Sequence, residues 1–371
     1  MHLNFSAPCL FGLESLVAQE LREMGAEDVS AENGRVFFSG DEAILARANI
    51  CSRFSERILL VLGRFTAHTF EDLFQGVKKL PLENWIGEYD EFPVKGYSLK
   101  SDLHSVSDCQ AIIKKAAVER LKTVYHKDWF EETGARCRLD FSILKNEVCI
   151  CIDTTGVPLH KRGYRPAAND APMRETLAAA LCALSHLRPY HTLYDPMCGS
   201  GTVLIEGAML ALHIAPGVRR HFAAERFAWL PAEIWETERE RARAAKREAP
   251  EFTAYGSDID REALKIAREN ALRAGVSEYI VLEHGDVCRF KPKTEHGTLV
   301  TNPPYGERLQ DPHAAARLIQ EMGKVFERRH GFSYSIISPE AEFETLFGRK
   351  ADKRRKLYNG MIPCQLYMYF K

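Results

Sequence analysis

The chain has 371 residues, 45% apolar and 27% charged, with a formal net charge of −1. That length provides for two or three domains with sizeable cores, and no window approaches the roughly 20 apolar residues of a membrane helix. The near-zero charge excludes a general polyanion binder, so any basic patch has to be located by position.

Residues 1 to about 50 read as strand, loop, helix, strand. Phe5 to Leu10 is extended, and Leu13, Leu16, Val17, Leu21 and Met24 then recur at helical spacing, with Gly25 as the stop. Val36-Phe37-Phe38 is a short strand after the Asn33-Gly34 turn, and a further helix precedes the strand Arg57 to Arg64. The start, Met1-His2-Leu3-Asn4-Phe5, has no basic region, so no signal peptide is expected and the location is cytoplasmic.

Between 94 and 153, Asp108 is placed to cap a helix running to about Lys122. Ile112, Ile113, Ala116, Ala117 and Leu121 form its buried stripe. Lys114, Lys115 and Arg120 lie on its polar side and are candidates for phosphate contacts. Strands follow at Arg138 to Leu144 and Glu147 to Asp153. The ten cysteines include no CxxC pair, and Cys149 and Cys151 share one face of the second strand. Reduced, mostly buried thiols are expected, and no metal.

Gly163, Pro166 and Pro172 break the periodicity over a stretch that reads as a linker. Beyond it strands and helices alternate: strands near 191–195, 252–258, 279–283, 298–301, 334–338 and 365–370, with helices at 202–213 and 261–274. This predicts an α/β fold with a mostly parallel sheet covered on both faces. A Glu/Arg-rich stretch between Ala215 and Pro250 interrupts the alternation and reads as a surface insertion.

Asp195-Pro196-Met197-Cys198-Gly199-Ser200-Gly201-Thr202 follows a strand and opens a helix, where glycines let the backbone approach a ligand. Asp258, ending the second strand, is placed to accept ribose hydroxyls, while Asp260 caps the next helix. Asp286, after the third strand, is placed to accept an adenine amine. Acids at the carboxyl ends of successive strands fit the rule for ligand sites in open α/β sheets.

Asn302-Pro303-Pro304-Tyr305 directly follows the fourth strand. The two prolines stiffen the loop and remove two donors, leaving the Asn302 side-chain oxygen and the Pro303 carbonyl as acceptors. An exocyclic base amine is a poor nucleophile because its lone pair is delocalised. Acceptors on its two hydrogens localise that pair and aim it at a methyl donor. Tyr305 offers a face for an extruded base.

At this point the chain resembles the THUMP-domain RNA methyltransferases of the bacterial N2-guanine type, similar to the N-terminal half of the 23S rRNA guanine methyltransferase. The likeness rests on Leu159 to Pro166, Ala171 to Ala178, Asp195 to Thr202, Asn302 to Leu309 and Lys353 to Gly360, with Leu103 to Gln110 as the THUMP signature. It implies a ferredoxin-like subdomain (1–50), a THUMP domain binding structured RNA (51–158), a linker (159–172) and a Rossmann-like, seven-stranded class I methyltransferase domain (173–371). It implies S-adenosylmethionine as cofactor, held by Asp195, Gly199, Gly201, Asp258, Asp286 and Asn302, with Thr176 at the methionine end. The catalytic role falls to Asn302, Pro303, Pro304 and Tyr305. Met197 departs from the family's usual aromatic residue. Lys353, Arg354, Arg355 and Lys356 add RNA candidates near the site. The expected reaction is methylation of guanine N2 in 23S rRNA. The alternatives are guanine N2 in transfer RNA, adenine N6 in DNA, and a protein glutamine.

Overall fold

The computed structural model describes residues 1–165, 173–247, 251–305 and 312–370. They form two compact units, each built on a seven-stranded sheet. The first comprises Met1–Cys9, Val17–Leu159 and Arg219–Arg241, and the second Leu10–Leu16, His160–Val218 and Ala242–Lys371.

In the first unit, strands β1 (Leu3–Pro8), β2 (Glu27–Glu32), β3 (Arg35–Gly40), β4 (Leu59–Thr66), β5 (Val94–Leu99), β6 (Leu139–Leu144) and β7 (Glu147–Asp153) lie in the order β2-β3-β1-β4-β7-β6-β5. All neighbours are antiparallel except β5 and β6. Helix α1 (Glu14–Glu23) is amphipathic as its spacing predicts, α2 (Glu42–Cys51) is capped by Asp41, and α3 (Phe70–Lys78) opens with a Thr69–Asp72 capping box. Helix α4 (Val106–Tyr125) starts three residues earlier than the sequence suggests: Ser105, not Asp108, is its cap, and its hydroxyl accepts the Asp108 N–H. Cys149 and Cys151 are buried side by side on β7 with sulfurs 3.5 Å apart.

Residues 219–241 pack within this unit and are not a loose surface insertion. Trp235 is buried, Trp229 stands edge-on to Trp85 at 5.0 Å, and the Arg47 guanidinium donates twice to Glu238 at 2.7 Å. The charged composition that reads as a surface insertion is partly spent on such pairs.

The second unit holds β8 (Thr192–Asp195), β9 (Thr253–Asp258), β10 (Ile280–His284), β11 (Gly297–Thr301), β12 (Phe332–Ser338), β13 (Lys353–Asn359) and β14 (Ile362–Tyr369), ordered β10-β9-β8-β11-β12-β14-β13. Only β14 runs against the rest. Every residue of β11 is buried, as a central strand covered on both faces requires. Helices α5 (Glu175–Leu184) and α6 (Thr202–Ala211) pack on one another, and α8 (Arg261–Ala274) buries Leu264, Ala267 and Ala271 at helical spacing before Gly275 ends it at φ +75°. On the other side α9 (Pro312–Val325) and α10 (Phe343–Phe347) close an aromatic core of Tyr194, Phe326, Tyr334, Phe343 and Tyr367. Helix α7 (Glu233–Ala244) carries the charged stretch described above.

The stretch that reads as a linker is structured where it is described. Leu159, Arg162 and Tyr164 are buried, whereas Pro166, Ala171 and Pro172 lie outside the described residues.

Candidate active site

Strand order reverses between β8 and β11, whose neighbours lie on opposite sides, and a crevice opens beyond their carboxyl ends. Asp195 ends β8 and Thr301 ends β11, so the glycine turn and the Asn302 loop leave the sheet side by side. Asp195, Met197, Gly199, Asp258, Asp286, Asn302 and Pro304 line one cavity there, of about 520 Å³, within the range of small-molecule sites.

The turn that follows β8 has two left-handed glycines. Gly199 sits at φ +52° with open space where a side chain would be. Gly201, at φ +80°, is the N-cap of α6, and a β-carbon on it would lie 3.1 Å from that of Ala267 on α8. The first glycine leaves room for a ligand, and the second lets two helices close up.

Asp195 is buried, and its Oδ1 accepts the Thr301 hydroxyl at 2.7 Å and the Met197 N–H at 3.3 Å. Burial pushes its pKa up to about 7 and outweighs those two bonds, with neighbouring Asp258 adding to the rise. Asp258 accepts the Gly199 N–H at 2.8 Å through Oδ2 and the Asp260 N–H at 2.9 Å through Oδ1. Besides facing the cavity, it therefore ties the glycine turn to the end of β9. Asp260 caps α8, with its side chain on the Glu262 N–H at 2.9 Å. Asp286 is exposed and caps the short turn that follows it.

The Asn302 side chain is half-buried, and its Oδ1 is a buried acceptor without a hydrogen-bond donor among the described residues. An orphan acceptor at the lip of a cavity is costly to keep and marks a place for a ligand's N–H. Tyr305 is held from the side: Asn359 Nδ2, at the end of β13, donates to its hydroxyl. The cavity and the room left at Gly199 fit a nucleoside cofactor, and the orphan acceptor stands beside it.

Other expected residues fall differently. Thr176 is completely buried within α5, and Met173 stands at the cavity wall in its place. Lys114 and Arg120 are not free cations. Lys114 pairs with Glu132 and lies over the Phe92 ring, and Arg120 is held by both oxygens of Glu83. Lys115 is exposed. On the edge strand β13, Lys353, Arg354 and Lys356 are exposed, but Arg355 donates to the Gly12 carbonyl at 2.6 Å and to Ser15 at 2.9 Å. Residues 306–309 of the Asn302 motif lie outside the described residues.

Sequence reasoning also missed two sets of supports. Arg165 donates to Glu175 and to the Thr202 hydroxyl, both at 3.0 Å, and so fixes the first turn of α6. Arg162 and Tyr164 both reach the fully buried Glu206 on α6. The Arg162-Gly163-Tyr164-Arg165 run is the signal for these contacts, but nothing local pairs it with acids 10 to 44 residues away.

Strand order, glycine turn and site together define a class I S-adenosylmethionine-dependent methyltransferase. Residues 162–368 match the RMKL-like methyltransferase domain, residues 4–59 the RlmL ferredoxin-like domain and residues 67–153 the THUMP domain. The chain belongs to the RMKL-like methyltransferase family. It is 42% identical over 361 residues to "Putative RNA methyltransferase YpsC" of Bacillus subtilis (strain 168), covering 97% of this chain and 94% of that one. It is 36% identical to ribosomal RNA large subunit methyltransferase K/L of Psychromonas ingrahamii over 99% of its own length, and spans about half (50%) of that relative. The crystal structure of SMU.472 complexed with SAH superposes at a TM-score of 0.93, with 40% identity and coverage of 100% of this chain and 98% of that one.

Proposed function

We propose that the chain methylates the exocyclic N2 of a guanine in large-subunit ribosomal RNA. The observation that carries the amine chemistry is the orphan Asn302 Oδ1 at the cavity lip. In this reading Asn302 accepts one hydrogen of the amine and the Pro303 carbonyl the other, which localises the nitrogen lone pair. Tyr305, anchored by Asn359, offers its ring to the extruded base. The methyl donor brings an already activated sulfonium methyl. Asp195, Asp258 and Asp286 hold it, and the stiff loop fixes the line of attack.

Support for RNA comes from the THUMP match at residues 67–153, and support for ribosomal RNA from the name of the K/L relatives. The test is mapping of modified nucleosides in a strain lacking this protein. Loss of one N2-methylguanosine from 23S rRNA is the expected result. Loss from transfer RNA alone, or of 6-methyladenine from DNA, would move the reading to those substrates.

A further inference from the structure

A larger depression, of about 1,070 Å³, lies at the opposite edge of the second unit's sheet, where β8, β11 and β12 begin. Three adjacent strands are each preceded by a histidine: His191 directly before β8, His296 directly before β11 and His330 two residues before β12. All three line the depression with Arg328 and Arg329; Glu295 is the one carboxylate among its described lining residues, and Glu327 stands 3.8 Å from Arg329 in a loose pair that leaves the arginine side chain 48% exposed.

The arrangement is built, not incidental. The Gly297 N–H donates to the Gly331 carbonyl at 3.0 Å, which joins the two turns, and brings the His296 and His330 rings to 6.5 Å between centroids. Gly331, at φ +82°, is required: a β-carbon there would fall 1.8 Å from His296 Nδ1. His191 bonds Thr298 at 3.1 Å and stands edge-on to Tyr190 at 5.0 Å. Two aromatic rings are left in solvent at this site, Tyr190 at 68% exposure and Phe370 at 47%. Among the described residues no three His, Cys, Asp or Glu side chains converge as metal ligands.

Cationic guanidiniums beside solvent-exposed aromatic rings are the chemistry of a nucleic-acid strand. We propose that this depression is a second RNA site of the methyltransferase unit, taking backbone phosphates on Arg328 and Arg329 and unpaired bases on Tyr190 and Phe370. The inference rests on the RNA reading above and deepens it. A strand of five residues separates this edge from the Asn302 loop, roughly 17 Å, so the site grips a flanking segment of the same RNA and not the target nucleotide. It thereby adds affinity without touching the reacting atoms.

The test uses the full chain and deproteinised large-subunit rRNA in filter binding across a salt series. Arg328→Gln with Arg329→Gln should weaken binding about tenfold at low salt and make the log–log salt slope shallower by about 1.4 to 1.8. Tyr190→Ala with Phe370→Ala should cost about thirtyfold or more with the slope unchanged. S-adenosylmethionine affinity and the melting temperature should stay at wild-type values in both. If the wild type binds rRNA and both variants match it, the second site is refuted while the RNA reading stands. If the wild type itself does not bind, both readings fall.

Discussion

The Thr301 hydroxyl donates to Asp195 Oδ1 at 2.7 Å, joining the last residue of β11 to the last residue of β8. The ladder between these strands pairs Thr298 with Leu193 and Leu299 with Tyr194, so this side-chain bond takes over where the backbone pairing stops. Asn302 is the next residue along. One bond therefore couples the wall of the donor cavity to the loop that presents the acceptor.

Burial, against the pull of that bond, gives Asp195 a pH signature. Burial has raised its pKa to about 7, so in the free protein it is largely protonated below that pH and ionised above it. The ionised form is the better partner for a cationic sulfonium donor, so affinity for S-adenosylmethionine should tighten between pH 6 and 8. Asp195→Asn should flatten the profile. Thr301→Val removes a bond that favours the carboxylate and should move the midpoint upward. Calorimetric titration from pH 5.5 to 8.5 checks this, and a flat wild-type profile would remove Asp195 from the donor site.

Asn302→Ala should keep cofactor affinity and lose turnover on the order of a hundredfold or more, as when one polar transition-state contact is removed. Single-turnover methylation of rRNA beside calorimetry separates the two effects. Near-normal turnover would leave Asn302 as a shaper of the loop alone.

Asp258→Ala removes the acceptor for two backbone N–H groups as well as the proposed ribose partner. Cofactor affinity should drop by about 1.5–3 kcal/mol. Equal affinity in a folded variant, measured by calorimetry, would cancel the ribose assignment.

Much of this site was legible because its parts are local in sequence. A glycine turn after a strand, an acid at the end of the next and a double proline after the fourth are each readable within ten residues, and so was α8, whose bounds match the prediction at both ends. What the sequence hid is non-local. Thr301 to Asp195, Asn359 to Tyr305 and Arg162 to Glu206 join residues 106, 54 and 44 apart. The basic residues misled for a related reason: a lysine in a helix pattern does not disclose whether a glutamate elsewhere has neutralised it. Strand β13 was read as a cationic run, because four basic residues in a row conceal the alternation that pairs it with β14.

The Arg162–Glu206 pair is almost wholly withdrawn from water, at 2% and 0% side-chain exposure. Glu206→Ala removes the buried carboxylate that Arg162 and Tyr164 share and should destabilise by about 3–5 kcal/mol. Glu206→Gln keeps the shape and a hydrogen bond to Tyr164 and should cost less. Denaturant melts of the two variants give the comparison, and equal losses would mean that shape and not charge is at stake.

Lys114 and Lys115 are neighbours in sequence with opposite situations, which lets one experiment separate fold from RNA. Lys114 is spent on Glu132, the Phe92 carbonyl and the Phe92 ring, whereas Lys115 is exposed beside Phe74 at 5.9 Å. Lys114→Gln should therefore lower the melting temperature and leave the salt slope of rRNA binding unchanged. Lys115→Gln should do the reverse, with an unchanged melt and a slope shallower by about 0.7 to 0.9, one phosphate's worth of released counterions. The full chain is needed for this measurement. Leu10–Leu16 pack with the second unit and Arg219–Arg241 with the first, so a cut near residue 160 would strip each unit of a segment it contains. If both substitutions leave the slope at its wild-type value, the phosphate contacts of the first unit lie away from α4.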